Sequence, residues 1–238
     1  MRLASLSLVS LSLFSSLSYA AEPPLLKNYQ EPTRGFFLEH GIVSSEGDAS
    51  IELQTGSDNL SNGGGIRLGL PNAELIINSG LSGYDINEAL IKYAMPKLNS
   101  GSDQSSSINW AILAGLASID NDTFDQTNIK LGAAITVTAD AGTFTFSPQV
   151  IYSDGDRSDE TFFNAGLGAY VGVVDTTSGK FSLGLEANIT TQDNTDDQFA
   201  FGARWAYNER VNIDIIPVII QNNDITGFPG LVRLNVNF

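Results

Sequence analysis

The feature that most restricts how this chain can fold is a repeated one. Segments of about ten residues alternate apolar with polar side chains, and turn-forming residues separate them. On a strand, Phe181, Leu183, Leu185, Ala187 and Ile189 face one way while Ser182, Gly184, Glu186, Asn188 and Thr190 face the other. Phe199, Phe201, Ala203, Trp205 and Tyr207 oppose Gly202, Arg204 and Ala206 in the same manner. So do Ile129, Leu131, Ala133, Ile135 and Val137 against Lys130, Gly132, Ala134 and Thr136. Further strands are expected near residues 49–55, 64–70, 73–80, 85–95, 107–118, 142–153, 161–174, 211–220 and 229–238, about 12 in all. An even number of strands, each with one apolar and one polar face, suits an all-β fold: a transmembrane antiparallel up-and-down β-barrel.

The amino terminus points to export. Arg2 is a positive start, Leu3 to Leu17 is apolar but broken by serines, and Ser18-Tyr19-Ala20 is a small-x-small cleavage site. Residues 1–20 are therefore expected to be a signal peptide, with Ala21 beginning the mature chain. Residues 21–48 form an N-terminal segment and 49–238 the barrel. Cleavage removes one of the 12 basic residues, so 11 stand against 27 acidic ones, a formal charge of −16. That excess repels nucleic acid, which is excluded as a partner. The chain has no Cys, so neither disulfides nor an N-terminal lipidated Cys can hold it. Only 16% of residues are charged, yet after the leader no apolar run is long enough for a spanning helix.

The carboxyl terminus, Gly230-Leu-Val-Arg-Leu-Asn-Val-Asn-Phe238, sets Val232, Leu234, Val236 and Phe238 on one face and Arg233, Asn235 and Asn237 on the other. It resembles the terminal strand of Gram-negative outer-membrane β-barrels, whose final Phe is part of the signal read by the assembly machinery. The resemblance implies a cell outer-membrane location, with outer-membrane lipid, lipopolysaccharide and the barrel assembly machinery as partners. The last strand is then expected to close the barrel against the first, near Ser50 to Gly56.

Connection lengths should alternate, with short turns on the periplasmic side and longer loops outside. Pro71-Asn72, Asp140 to Gly142, Asp175 to Lys180 and Asn208 to Arg210 are short; Ile119 to Gln126, Ser153 to Glu160, Thr191 to Asp197 and Gln221 to Phe228 are longer and mostly acidic. Pro96 to Ser107 breaks the alternation, so it is either an inserted excursion or the mark of a miscounted strand upstream. A soluble β-sandwich would also alternate its faces. Aromatic residues toward strand ends favour the membrane, because Phe144, Tyr152, Phe163, Phe181, Phe199, Tyr207 and Phe238 can form interfacial girdles.

No catalytic constellation, cofactor motif or metal motif stands out. His40 is the single histidine, and a Ser-His-Asp hydrolase would need it within reach of a serine. The acidic connections around Asp120 to Asp125, Asp154 to Glu160 and Asp193 to Asp197 lack the glycine and closing glutamate of an EF-hand loop. They read as solvated loops that can bridge loosely to lipid headgroups through divalent ions.

The functional set is the polar face. Glu52, Glu74, Glu88, Glu186 and Asp214 are expected to line the lumen with Arg67, Lys92, Lys130, Arg204 and Arg233. Such charges either pair and brace the barrel or line an aqueous path. Small inward residues, Gly132, Ala134, Gly166, Gly168, Gly172 and Gly184, are expected to leave space beside them. Pro23, Pro24 and Pro32 favour unpaired backbone over residues 21–48, so a flexible periplasmic tail is the first expectation and a segment folded into the lumen the second. The phrases Glu39-His-Gly-Ile, Ser50-Ile-Glu-Leu-Gln54 and Gly65 to Leu75 loosely resemble outer-membrane channels associated with meta-pathway phenol degradation. That resemblance implies a medium-sized barrel admitting small hydrophobic or aromatic solutes. The expected function is a narrow passive or selective channel for small solutes, not an enzyme. The alternative is a non-conducting structural or adhesive barrel displaying acidic loops, which a blocked lumen would favour.

Overall fold

The computed structural model describes residues 33–56, 62–82, 84–98, 106–121, 124–139, 142–156, 159–176, 179–193, 195–208, 210–221, 224–225 and 230–238. The expected signal peptide lies outside them. The strands are β1 (Ala49–Gly56), β2 (Gly63–Leu70), β3 (Ala73–Ser82), β4 (Tyr84–Ala94), β5 (Ser106–Asn121), β6 (Phe124–Ala139), β7 (Gly142–Gly155), β8 (Glu160–Thr176), β9 (Gly179–Thr190), β10 (Gln198–Ala206), β11 (Val211–Gln221), β12 (Asp224–Ile225) and β13 (Leu231–Asn237). The two-residue β12 only prolongs the end of β11, so twelve strands form the wall.

Each wall strand pairs antiparallel with the next in sequence, β11 pairs with β13, and β13 pairs with β1 from Ser50↔Asn237 to Gly56↔Leu231. The sheet therefore closes on itself and leaves no edge to pair elsewhere. That the last strand pairs with the first, near Ser50 to Gly56, is as expected from the sequence. Both ends of the wall lie at one end of the barrel, called here the terminal end; the opposite end is distal.

Alternation becomes an inside and an outside. Leu53, Leu131 and Leu185 are 58%, 60% and 59% exposed, whereas their neighbours Glu52 and Glu186 are buried. All seven girdle aromatics face outward. Phe144, Phe181, Tyr207 and Phe238 gather near the terminal end, and Tyr152, Phe163 and Phe199 toward the distal one. Among the described residues no helix is long and apolar enough to cross a membrane.

The ladders carry register shifts between Gly172 and Val174 on β8 and between Phe201 and Ala203 on β10. Gly202 on β10 faces both Ile216 and Pro217 on β11, a bulge that places the proline, which has no N–H to offer, where the ladder needs none. The ladders also run further than the apolar pattern does. Ile119 to Gln126 was expected as a loop, but Ile119↔Gln126, Asp120↔Asp125 and Asn121↔Phe124 are paired. Asp175↔Lys180 and Thr176↔Gly179 do the same at the terminal end. The long link after β4 is not a miscount, since no strand is lacking upstream of it; Leu98 pairs back to Ile108 there.

Candidate functional site in the barrel interior

Inward side chains from eight neighbouring strands set up an alternating series of charge. Lys92 on β4 binds Glu74 on β3 at 2.6 Å, and Arg67 on β2 lies 3.6 Å from Glu74 and 3.7 Å from Glu52 on β1. Arg233 on β13 lies 3.0 Å from Glu52 and 3.7 Å from Asp214 on β11. Arg204 on β10 grips Asp214 through two hydrogen bonds of 2.6 and 2.8 Å. Glu186 on β9 ends the series. Four cations thus face four anions, all nearly inaccessible to solvent. The low polarity around them makes an unpaired member costly, which is why opposite signs sit on adjacent strands. Glu88 and Lys130 stand apart, paired at 2.6 Å and less deeply covered, with Asn78 donating to Glu88 at 3.0 Å.

The segment before β1 crosses this interior. Residues 33–40 make a tight hairpin closed by Gly35 N–H to Leu38 O at 2.8 Å and His40 N–H to Thr33 O at 3.0 Å. A flexible tail is the first expectation from the sequence; residues 33–44 are instead packed inside the barrel, Ser45 to Gly47 are exposed, and 21–32 lie outside the described residues. Proline favours unpaired backbone, but the wall supplies partners of its own.

Glu186 receives the N–H groups of Phe36, Phe37 and Leu38 at 2.7, 2.6 and 3.2 Å. Three successive amides around one carboxylate form an anion-holding concavity built from backbone. The Tyr170 hydroxyl donates to the same carboxylate and accepts the Phe36 N–H at 2.9 Å. Arg204 donates to the carbonyls of Arg34 and Gly35 at 3.1 and 3.3 Å, and Arg233 donates to that of Gly35 at 3.4 Å.

On the other side of the interior, Glu39 takes a bidentate pair from Arg67 at 2.6 and 2.9 Å and a contact from Lys92 at 3.1 Å. Burial opposes ionisation of Glu39, yet Arg67 and Lys92 hold its carboxyl well below the usual carboxylate range. Arg34 meets Glu52 at 2.5 Å.

Of the small inward residues expected to leave space, Gly166, Gly168 and Gly184 leave it next to the hairpin, whereas Gly132 abuts Pro148 and Gln149 of β7. The Cβ that Gly166 lacks would collide with Leu38, and those of Gly184 and Gly202 would lie 2.8 and 3.0 Å from the Phe36 ring. The hairpin fills the room beside Gly166 and shares it with Tyr170 beside Gly184. Phe36 lies edge-on to Tyr170 at 5.3 Å and packs with Ala200, Ile216, Ile219 and Leu231. His40 is buried with its ring edge-on to Tyr170 at 5.5 Å. Distal to the hairpin is a cavity of about 190 Å³ lined by Arg34, Phe37, Glu52, Gln54, Asn78, Glu88 and Arg233 among others.

Sequence reasoning named the wall charges but missed Arg34, Glu39 and Tyr170, which complete the site. The available signal was Arg34-Gly-Phe-Phe-Leu-Glu39: a glycine and three apolar residues between opposite charges, in a stretch otherwise taken for a tail.

The fold defined by these ladders is a closed twelve-stranded antiparallel barrel carrying an internal hairpin. No protein-family model matches the chain, and no curated protein matches it; the resemblance to meta-pathway channels gains no support there. Among solved structures it is similar to the KdgM porin in complex with disordered oligogalacturonate, at 11% identity over 80% of this chain and 95% of that one, TM-score 0.44. The NanC porin aligns at 9% identity over 80% of this chain and 97% of its own, TM-score 0.41. Pseudomonas aeruginosa OpdO aligns at 11% over 78% and 59%, TM-score 0.36.

Proposed function

We propose that this protein is an outer-membrane β-barrel that passes small solutes through its interior. An outward apolar face bounded by two groups of aromatic side chains suits a bilayer and its interfaces, with outer-membrane lipid and lipopolysaccharide around it. The observation that carries the proposal is the polar cavity of about 190 Å³ inside a wall of twelve strands. Twelve strands enclose more room than eight, whose own side chains suffice to fill the interior. Glu52, Glu88 and Arg233 line this cavity, Arg67, Glu74, Lys92, Lys130, Glu186, Arg204 and Asp214 continue the inner face beyond it, and opposite signs on adjacent strands brace the wall without a large net charge. Solutes small and polar enough to pass between such groups are the substrates; the phenol-channel resemblance would add small aromatic ones.

A second reading has an observation of its own. The hairpin crosses the interior, as a non-conducting structural barrel would allow. Planar-bilayer recordings separate the two, using the chain from Ala21 onward and a form lacking residues 33–41. Channel activity in either form is the expected result. Silence from both, while both keep the heat-modifiable gel migration of a folded barrel, would overturn the channel and leave the structural barrel.

A further inference from the structure

We propose that the wall around Glu186, Tyr170 and Arg204 is a binding site for a tight turn of polypeptide, and that Thr33–Gly41 occupies it as an exchangeable plug. The proposal rests on the channel reading for its consequence, but the site itself stands on geometry. Recognition is directed at backbone: Glu186 collects three N–H groups, and Arg204 and Arg233 bind the carbonyls of Arg34 and Gly35. These contacts read the shape of the turn more than its side chains.

Shape is read a second way. A Cβ at residue 35 would fall on the Glu186 carboxylate and the Tyr170 hydroxyl, so the turn must carry glycine there. Gly166 on β8 leaves the place where Leu38 of the hairpin sits, and Gly184 and Gly202 on the next two strands leave room that Phe36 shares with the wall's own Tyr170 ring and Ile215 carbonyl. The place beside Gly166 is filled by Leu38 of the hairpin and not by a wall side chain, as in a seat shaped for a guest.

Charge separates the two parts as well. In the wall the four cations Lys92, Arg67, Arg233 and Arg204 equal in number the four anions Glu74, Glu52, Asp214 and Glu186, so its net charge is zero without the hairpin. The hairpin's Arg34 and Glu39 balance each other. Withdrawal therefore strands no net charge on either side, and water entering the lumen resolvates what is exposed. Seated, the turn closes the route; withdrawn, it leaves an apolar and amide-binding concavity facing the solute path.

The test uses the absence of native cysteine. In the full chain, Leu38→Cys with Gly166→Cys can form a disulfide, because the Leu38 side chain already contacts the place of a residue 166 Cβ. Oxidised protein is expected to be silent in bilayers, and reduction to restore openings in the same membrane. Equal conductance before and after reduction, with the disulfide verified by mass, would overturn the plug. Independently, a labelled peptide of residues 33–41 is expected to bind saturably to a folded barrel lacking those residues and to block it. The same peptide with Gly35→Ala should bind at least about tenfold more weakly. No binding, or equal binding of both peptides, sinks the site. Failure of the channel reading has a different signature: the peptide binds, yet no form of the protein conducts.

Discussion

Replacing Glu186 with Gln changes the shape of the site very little and its hydrogen bonding a great deal. The carboxylate accepts three backbone N–H groups and a tyrosine hydroxyl. A glutamine oxygen can accept two of these, and its amide points a donor at the remaining donors. Each bond to a charged acceptor contributes about 1.5–3 kcal/mol. Some bonds survive and lumen water compensates in part, so the net loss for the seated hairpin is about 2–4 kcal/mol. At 1.4 kcal/mol per tenfold, the withdrawn population rises about 30- to 700-fold. Maleimide labelling of a single Leu38→Cys, buried in the seated state, reads that population. The labelling rate of Glu186→Gln over its parent should rise by that factor while heat-modifiable migration is kept. A rise of less than about threefold would show that the amide-binding carboxylate is not what seats the hairpin.

Lys92→Met leaves Glu74 fully buried without its closest cation; a loss of about 3–5 kcal/mol is expected as a lower urea midpoint in detergent. Leu185→Arg places a charge on the outward face near the middle of β9 and should cost about 2–4 kcal/mol of barrel stability in lipid vesicles, whereas a barrel facing water there would change by well under 1 kcal/mol. For pH, the folded-state depression at Glu39 means that its contribution is present above the unfolded value of about 4.3 and is lost only as pH falls through the lower folded value. The stability difference between the parent and Glu39→Gln, read as urea midpoints, should therefore stay constant from about pH 7 to pH 5; a difference that shrinks within that window would contradict the Glu39 pairing.

The wall was legible in the sequence because a half-buried strand writes its period directly into side-chain type. Residues such as Leu185 and Glu186 declare opposite faces, and Arg233 declares the inward face of the last strand. Strand ends were less legible. Asp120 and Asp125 are paired across β5 and β6 yet carry no apolar alternation, because backbone hydrogen bonding continues past the outward apolar face. The hairpin was hidden for a deeper reason. Its contacts join residues such as Phe36 and Glu186, 150 positions apart, and the glycines that receive it look like open space when only one partner is in view. A chain tail is judged by local propensity, whereas this one is held by side chains of distant strands.

The clamp on Gly35 comes partly from β13, the last strand to be made, while the hairpin it holds precedes the first. Construction order therefore matters. Arg233 can take its place only as β13 zips between β11 and β1, so a hairpin already lying along β8 to β10 at that moment becomes a spacer that sets the girth of the closing seam. A hairpin that arrives late must enter through the terminal mouth of a finished cylinder. If the nine residues are seated before closure, they act as a mandrel, and variants that weaken the seat are then expected to slow closure of the barrel as well as loosen its interior.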